Sequence, residues 1–419
     1  MKIGYACLTV GVLGTDYKSC KLDNVTDKKL IELIAHNLKS LENTIDYNIK
    51  NNIKLFRISS DIIPFGSSSV NQLHWWDIFS EQLNDIGKKI IENKMRVSMH
   101  PGQYTVLNSP NAEVVARAID DLIYHTRFLD SLGVNSDHKV ILHIGGIYND
   151  KPAAMRRFID NYHQLSESVK NRLVIENDDR LYSVSDVLEI SQELNIPVIY
   201  DNLHNQLNPS NPSYTDFQAA CECRKTWLKK DGNQKIHYSQ QNINKRPGSH
   251  SDTIAINQFL EFLNNINQND IDIMLEVKDK NISAVKCINT ILIEQNIKVL
   301  ESEWARYKYQ ILEYSPKIYL EIRELLKDKE EYPAIEFYNL IEQALLENPH
   351  PTNAINAAQH VWGYFKNIAS PKEKKSFFKK LSDYQTEVVS LQLVKKELWR
   401  LANKYQIVYL LNSYYFDFK

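Results

Sequence analysis

Residues 172–204 read RLVIENDDRLYSVSDVLEISQELNIPVIYDNLH, and the pattern of this segment predicts the class of fold. The apolar runs at 172–176 and 197–201 have the length and β-branched composition of buried parallel strands. Between them, apolar residues recur at helical spacing across 184–194. Two strands joined by a crossover helix form a βαβ unit, so we expect both strands to run in the same direction.

The same alternation of strand and helix patterns extends in both directions along the chain. Further strand-like runs occupy residues 2–9, 53–59, 95–100, 139–144, 234–238 and 271–277. The intervals between runs are mostly about 25 to 45 residues, enough for a crossover helix each time. Eight such units predict an α/β fold, a (β/α)₈ TIM barrel over residues 1–297. A doubly wound open sheet has the same periodicity and stays open as an alternative.

The pattern changes in the last quarter of the chain. It loses its alternating strands near residue 295 and then reads as helical, rich in Leu, Lys, Glu and Tyr. Pro349, Pro351 and Pro371 divide this region into separate helices. We therefore predict a C-terminal all-α domain over residues 303–419. Its basic run is typical of a solvated helix face and comprises Lys372, Lys374, Lys375, Lys379 and Lys380.

Composition restricts the class of protein and the way it binds partners. The chain has 419 residues, 43% of them hydrophobic, and a formal net charge of -2. It contains no apolar run of about 20 residues that would span a membrane, and its first residues resemble no signal peptide. We expect a cytoplasmic protein without a membrane partner. A nucleic acid would have to be bound by a local basic groove or through cations.

Ligand-type side chains end six successive predicted strands, from the third to the eighth. They are His100, His143, Glu176, Asp201, His237 and Glu276. His204 and His250 follow in adjacent loops. In a barrel, all these strand ends open onto the face where active sites lie. Because crowded carboxylates repel one another unless cations separate them, the pattern predicts a multi-metal site. Imidazole with carboxylate suits zinc, manganese or iron, and a carboxylate can bridge two ions.

In combination and order, the motifs around these positions resemble those of the UV damage endonuclease family over roughly residues 1–294. They are Gly4-Tyr5, Phe56-Arg57-Ile58-Ser59-Ser60, His100-Pro101-Gly102-Gln103-Tyr104, His143-Ile144-Gly145-Gly146, Glu176-Asn177-Asp178, Asp201-Asn202-Leu203-His204, Lys235-Ile236-His237, His250-Ser251-Asp252 and Glu276.

The resemblance implies a barrel related to that of endonuclease IV and a function in DNA repair. It implies incision of the phosphodiester immediately 5′ to a lesion in double-stranded DNA, which leaves a 3′-hydroxyl. It also implies up to three divalent metal ions as cofactors, with manganese favoured and zinc, magnesium or cobalt as alternatives.

Carried over residue by residue, the resemblance also implies roles for the strand-end side chains. His100, His143 and Glu176 correspond to ligands of a first metal, and Glu176, Asp201, His237 and Glu276 to ligands of a second. His204 and His250 correspond to ligands of a third, with Asp252 as a further candidate. Lys235 matches a lysine that can be carboxylated in this family. We expect Glu176, Lys235 and Glu276 to take part in catalysis.

Gln103 and Tyr104 match the pair that probes the damaged duplex. A tyrosine ring can stack in the gap left by displaced bases, and a glutamine amide both donates to and accepts from orphaned partner bases. Tyr5 resembles a residue of the lesion pocket.

Two positions depart from the family pattern. The family often has a histidine ligand after the second strand, where this chain has residues 65–70, FGSSSV, with His74 as the nearest histidine. Either His74 replaces that ligand after a rearrangement of the loop, or the first metal is bound more weakly, with water as a ligand. Thr9 also stands where an asparagine often contacts the lesion.

The C-terminal region resembles a helical domain of unknown function that is also found fused to desulfidase-type domains in bacteria. The segments that carry the resemblance are 304–309, 359–365 and 414–416. For the whole chain, two alternatives to the endonuclease remain. One is a metal-dependent sugar isomerase or epimerase, which would need a closed small-molecule pocket. The other is a non-catalytic damage-binding protein.

Overall fold

The computed structural model describes residues 1–210, 214–266, 270–292 and 296–416. Within them, eight parallel strands form a closed barrel in sequence order, and the first strand pairs with the eighth. The strands are β1 (Lys2–Cys7), β2 (Leu55–Ile58), β3 (Arg96–Met99), β4 (Val140–His143), β5 (Leu173–Glu176), β6 (Val198–Asp201), β7 (Gln234–Tyr238) and β8 (Ile271–Leu275). The predicted TIM barrel is confirmed, and the open-sheet alternative is excluded.

Every predicted strand contains an observed one, but most are shorter by one or two residues at an end. The run 139–144, for example, contains β4, which spans Val140–His143. Residues at the carboxyl ends leave the hydrogen-bonded ladder because the chain turns there into the loops that carry the ligand-type side chains. The apolar pattern of the sequence therefore includes the strand and the first loop residue, so the predicted strands are slightly too long.

The helices around the barrel follow its strands along the chain and pack on its outer face. They are α1 (Asp27–Lys50), α2 (Trp75–Ile78), α3 (Ser80–Glu92), α4 (Ala112–Ser131), α5 (Lys151–His163), α6 (Glu167–Arg172), α7 (Val184–Leu194), α8 (Asn202–Leu207), α9 (Asp216–Arg224), α10 (Ile256–Ile266) and α11 (Asn281–Ile291). The predicted helix 184–194 is α7, which begins with a capping box formed by Ser183 and Asp186. It ends at Asn195 in the left-handed conformation.

The helices of the C-terminal region follow without strands between them in the described residues. They are α12 (Ile297–Tyr314), α13 (Pro316–Leu325), α14 (Ala334–Leu346), α15 (Pro351–Trp362), α16 (Pro371–Gln385), α17 (Leu391–Lys404) and α18 (Val408–Leu411). Pro316, Pro351 and Pro371 each stand at the first position of a helix, where the missing N–H costs nothing. Val361, Phe365, Phe377, Leu398 and Tyr415 belong to the apolar core of this region.

Close packing of the first two strands explains the glycine of the first motif. A Cβ on Gly4 would lie 1.7 Å from the carbonyl oxygen of Leu55, the residue with which it pairs in register. Any larger side chain would push β1 and β2 apart. This glycine is therefore required by the barrel wall.

The chain divides into two compact units, which we describe separately. The first comprises residues 1–10, 14–254 and 258–288, and the second residues 11–13, 255–257 and 289–419. The sequence pattern places the change of domain at residues 297–303, in the first turns of α12. Residue 295, near which the barrel pattern ends, lies outside the described residues. Among the described helices, none is long and apolar enough to cross a membrane.

Candidate metal centre

The ligand-type side chains lie together at the carboxyl end of the barrel. His143, Glu176 and Asp201 are the last residues of β4, β5 and β6. His143 pairs in register with Glu176, and Asp201 pairs with His237 on β7. Neighbouring strands therefore present these four side chains at the same level. His100 and Glu276 come directly after β3 and β8.

Glu176 lies at the centre of this cluster, and its side chain is only 2% exposed. Its Oε1 is 2.8 Å from His237 Nδ1 and 3.7 Å from His204 Nδ1. Its Oε2 is 3.3 Å from His100 Nε2 and 3.8 Å from His143 Nε2. The two oxygens of one carboxylate thus face two different pairs of imidazoles. Two groups of possible metal ligands share this residue, namely His100 with His143 and Glu176, and Glu176 with Asp201 and His237.

Backbone carbonyls orient two of the imidazoles. His100 Nδ1 is 2.9 Å from the carbonyl oxygen of Pro101, and His204 Nδ1 is 2.9 Å from that of Asn177. Because a carbonyl oxygen only accepts, the facing ring nitrogens must donate, which fixes the tautomer of each neutral ring. Nε2 of each ring then keeps its lone pair. A histidine that ligates a metal through one nitrogen usually donates from the other in this way.

Several buried atoms of the cluster have no hydrogen-bond partner in the described part of the chain. They are Glu176 Oε2, Asp201 Oδ2, His237 Nε2 and His143 Nδ1. Unpaired buried polar atoms are rare in native proteins because each one costs free energy. Here they belong to residues of the two ligand groups and are imidazole nitrogens and carboxylate oxygens, the ligand types that zinc, manganese and iron accept. The residues therefore fit divalent metal ions.

The electrostatics of the cluster point the same way. Burial raises the pKa of Asp201 to about 6, and the nearby carboxylates of Glu176 and Glu276 add to this effect. Burial would lower the pKa of His204, but the charges of Asp201 and Glu176 outweigh it and raise that pKa to about 9. The protein without metal thus needs protons to separate its carboxylates. Cations would relieve the same repulsion.

Arg57 is a member of this site that the sequence did not single out. Its Nη1 donates a hydrogen bond to Glu276 Oε1 within a partly buried ion pair. Burial would raise the pKa of Glu276, but the charges of Arg57 and His237 outweigh it and lower the pKa below its usual range. The other oxygen of Glu276 lies 3.7 Å from His250 Nε2, which joins His250 to the cluster. Arg57 belongs to the sequence motif at residues 56–60. A charged residue within a buried barrel strand could have indicated that it takes part in the site.

Lys235 lies two residues before His237 on β7, so its side chain extends from the same face of the strand. It is fully buried, and its Nζ has no hydrogen-bond partner among the described residues. Burial, together with the charges of Arg96 and Arg57, lowers the pKa of Lys235 well below its usual range. The side chain is thus an amine whose charged form is strongly disfavoured.

Tyr5, His74 and Asp252, which the sequence made candidates for the site, lie apart from the cluster. Tyr5 was expected to contact the lesion, but it is fully buried and donates to Asn48 Oδ1 on α1 at 2.9 Å. In this conformation the ring is part of the barrel wall, and its contact with the lesion stays a prediction. His74 stacks on Trp76 and lies 3.6 Å from Asp77, with its side chain 71% exposed. Its contacts do not support replacement of the missing ligand.

Asp252 also pairs outside the cluster. Its Oδ1 is 3.8 Å from Lys245 Nζ, and its Oδ2 accepts a hydrogen bond from Asn242 at 3.4 Å. Thr9, where the family often has asparagine, bonds through its hydroxyl to Tyr5 at 2.8 Å. Both side chains therefore have structural partners in this conformation.

A cavity of about 940 Å³ opens beside the cluster. His100, His143 and His204 line its inner part, and Gln103 and Tyr104 lie at its edge. Tyr104 is 84% exposed, which is unusual for a tyrosine and leaves its ring free to contact a partner. Arg117 and Arg180 also line the cavity. The sequence did not single out these two cations, because neither lies in a recognised motif.

Comparison with protein families gives two matches that together cover the chain. Residues 1–308 match the family described as UV-endonuclease UvdE. Residues 308–418 match a family described as a protein of unknown function, DUF1722.

Individual relatives agree with the first match. The UV DNA damage endonuclease of Clostridium perfringens (strain 13 / Type A) is 43% identical over 94% of this chain and 95% of that protein. The UV DNA damage endonuclease of Bacillus cereus (strain G9842) is 30% identical over 65% of this chain and 86% of that protein. The crystal structure of SacUVDE is 40% identical, with a TM-score of 0.66 over 70% of this chain and 98% of that chain.

Proposed function

Since the chain belongs to the UvdE family of UV endonucleases, we propose that it cuts DNA immediately 5′ to ultraviolet photoproducts and uses a multi-metal centre to do so. The substrate is double-stranded DNA that contains UV lesions, and the product has a 3′-hydroxyl. The relatives named UV DNA damage endonuclease support the class of reaction. The arrangement around Glu176 is the observation that carries the metal centre.

The ligands divide into sets that share Glu176. His100, His143 and Glu176 would hold one ion, and the second ligand set is Glu176, Asp201, His237 and Glu276. A third ion would be held by His204 and His250, with manganese as the favoured metal. Clustered divalent ions supply an activated water and stabilise charge on a leaving oxygen. The first set lacks a loop histidine, and Ser67 lies on the cavity wall near it.

The chain's own residues have separate tasks in this proposal. Glu176 is the shared carboxylate, and Arg57 positions Glu276 through their ion pair. Lys235 supplies a buried amine of low pKa that is suited to carboxylation, because only the uncharged amine reacts with carbon dioxide. Gln103 and Tyr104 would enter the duplex at the lesion, where photoproducts weaken pairing and opening costs less than at normal bases.

The shape of the site favours an endonuclease over a sugar isomerase. An isomerase of this fold needs a closed pocket, whereas Gln103 and the 84% exposed Tyr104 border an open cavity here. A non-catalytic damage-binding protein would have no need for a shared carboxylate with an oxygen that lacks a hydrogen-bond partner among the described residues. Glu176 therefore argues for catalysis.

The direct test compares irradiated and unirradiated plasmid or duplex with and without manganese. We expect nicks only in irradiated DNA, abolished by a chelator and restored by manganese after dialysis. Sequencing-gel analysis should place the cut immediately 5′ to the photoproduct. Equal nicking of both DNAs, or nicking that survives excess chelator, would contradict the proposal. Conversion of a ketose in place of DNA cleavage would support the isomerase.

A further inference from the structure

The C-terminal helices carry an uneven distribution of charge. Residues 348–416 contain ten Lys and Arg but only four Asp and Glu, whereas residues 296–347 contain seven and eleven. The whole chain has a formal charge of -2, so this is a local concentration of positive charge. Such a concentration attracts polyanions independently of the net charge.

Two of the four acidic residues are already neutralised by partners within the same region. Glu373 accepts from Lys404 at 2.8 Å. Glu397 accepts from Lys380 at 2.8 Å and from Arg400 at 3.0 Å. These ion pairs lie on the side where α16 and α17 pack together. They use some basic residues of the region but leave those on the opposite side of α16 free.

Lys372, Lys375 and Lys379 lie together on the solvent side of α16, and Lys374 lies at the edge of that side, beyond Phe378. Phe377 and Leu381 bury the other side of the helix. Lys372, Lys374, Lys375 and Lys379 are exposed, and none has an ion-pair partner within the described ranges. We call these four residues the α16 basic face. They extend over roughly 10 Å of helix axis, a length along which duplex DNA presents about six phosphates.

The sequence pattern alone indicated a solvated helix face, but the structure adds that these lysines are unpaired and lie in a region of excess positive charge. We propose that the α16 basic face binds the sugar–phosphate backbone of duplex DNA without regard to sequence or damage. This inference rests on the proposed function, because DNA is the polyanion that an endonuclease meets. In this proposal the helical region binds undamaged DNA while the site in the barrel searches for lesions.

The chemistry of the face favours DNA over a lipid surface. A membrane-bound helix lays an apolar side into the bilayer interface, whereas the apolar side of α16 is buried in the protein core. Phe378 is an exposed apolar side chain between Lys374 and Lys375 on the solvent side, and its ring is held against Trp362 and Phe377. One ring among four lysines suits a phosphate backbone better than a bilayer.

The test removes the four charges from the full-length protein by Lys372→Gln, Lys374→Gln, Lys375→Gln and Lys379→Gln. Glutamine keeps the helix propensity, so the fold should survive, which thermal unfolding and manganese content would verify. The matched control removes four exposed charges from the acidic part of the same region by Lys298→Gln, Lys317→Gln, Lys327→Gln and Lys329→Gln. Anisotropy of a fluorescein-labelled, unirradiated duplex gives the affinity between about 50 and 200 mM KCl.

We expect the α16 variant to bind this duplex at least tenfold more weakly than the wild type. The slope of log affinity against log salt should fall by about 0.9 for each lost phosphate contact. The control variant should keep the wild-type slope. An unchanged slope in the α16 variant, or an equal loss in the control, would overturn the proposal. So would unchanged DNA binding together with lost binding to phosphatidylserine vesicles.

The binding assay needs no cleavage, so its failure is distinct from failure of the proposed function. A wild-type protein that does not nick irradiated DNA would contradict the endonuclease. The comparison on unirradiated duplex would still decide whether the α16 basic face binds DNA.

Discussion

Both ends of the barrel interior bury charged side chains, and two groups of four residues there differ in how completely they are paired. We call Arg96, Lys139, Asp231 and Asp272 the barrel floor, because they lie at or near the amino ends of β3, β4, β7 and β8. We call Glu176, Asp201, His237 and Glu276 the barrel rim, at the carboxyl ends of β5 to β8.

On the floor, each charge has a partner at hydrogen-bond distance. Arg96 donates to Asp272 at 2.9 Å and to the carbonyl oxygens of Asp137, Asn233 and Asp231 at 2.7 to 2.9 Å. Lys139 donates to Asp231 at 2.6 Å and to the carbonyl oxygen of Asn171 at 2.9 Å. A buried charge with such partners needs no external ligand.

On the rim, carboxylates outnumber the permanent cations near them. Arg57 pairs with Glu276, whereas Glu176 and Asp201 each have an oxygen without a hydrogen-bond partner among the described residues. This difference between floor and rim shows that burial of charged side chains does not by itself indicate a functional site. A buried charge without a partner in the protein does indicate such a site, because a bound ligand such as a metal ion must supply the partner. The floor should therefore govern stability, and the rim should govern metal binding and cleavage.

The largest expected effect is at the shared carboxylate. Glu176→Gln removes negative charge from both ligand sets at once, so incision should fall by several orders of magnitude and metal content should fall with it. Nicking of irradiated plasmid and metal analysis measure the two effects. Near-normal incision by a variant with full metal content would refute the bridging role of Glu176.

Lys139→Met tests the floor, where we expect loss of stability without loss of metal or incision. It leaves the buried carboxylate of Asp231 without its cation, which should cost about 3 kcal/mol of unfolding free energy. Urea unfolding gives this value. Metal content and incision per folded molecule should stay at the wild-type level, since Lys139 lies at the far end of the barrel. Loss of metal at unchanged stability would break the division between floor and rim.

A smaller effect is the loss of folding stability at acid pH that the buried His138 near the floor should cause. Burial lowers the pKa of His138 to about 3, and its Nδ1 accepts from the backbone N–H of Val97 at 3.0 Å. In the unfolded chain the pKa is about 6.5. The neutral ring therefore contributes stability above that pH, and the contribution is lost as the pH falls toward the folded value. At pH 5 the loss amounts to about 2 kcal/mol.

His138→Gln should remove this acid sensitivity, because an amide oxygen can accept from Val97 without titrating. Urea unfolding at pH 7 and pH 5, with EDTA present to exclude metal effects, compares the two proteins. The wild type should lose about 2 kcal/mol more than the variant between these pH values. An equal loss in both would show that His138 does not titrate as described.

The smallest effect is expected at the edge of the cavity. Gln103→Ala combined with Tyr104→Ala removes the exposed pair and leaves the ligands intact, so metal content should not change. Stacking contributes about 1–3 kcal/mol per base. Preference for irradiated over intact duplex should therefore shrink at least tenfold at fixed salt. If the double variant keeps the wild-type preference, another part of the protein senses the lesion.

The sequence predicted the barrel and the clustering of ligand-type side chains because both follow from one periodic pattern. In a closed parallel barrel, the carboxyl ends of all strands meet at one end, so His100 through Glu276 were expected to lie together. No loop geometry was needed for this prediction. The individual metal assignments stay predictions.

Side-chain direction and loop course were not predictable in the same way. Tyr5 is one residue from inward-facing positions, and whether it faces the site or α1 depends on the barrel's register. Residues 60–79 have no periodic pattern, so the position of His74 required the structure. The ion pair of Arg57 with Glu276 joins residues that are far apart in sequence. Long-range pairing of this kind leaves no local signal.

Manganese binding by the chelator-stripped protein tests whether the unpaired carboxylate oxygens of the barrel rim bind metal ions. We predict that titration calorimetry finds more than one manganese ion per chain. The melting temperature should rise with manganese, corresponding to about 2.7 kcal/mol at a hundredfold excess over Kd. Glu176→Gln should lose both effects, and Lys139→Met should keep both. A stripped wild-type protein that binds no manganese and melts at the same temperature with and without it would show that the barrel rim is not a metal centre.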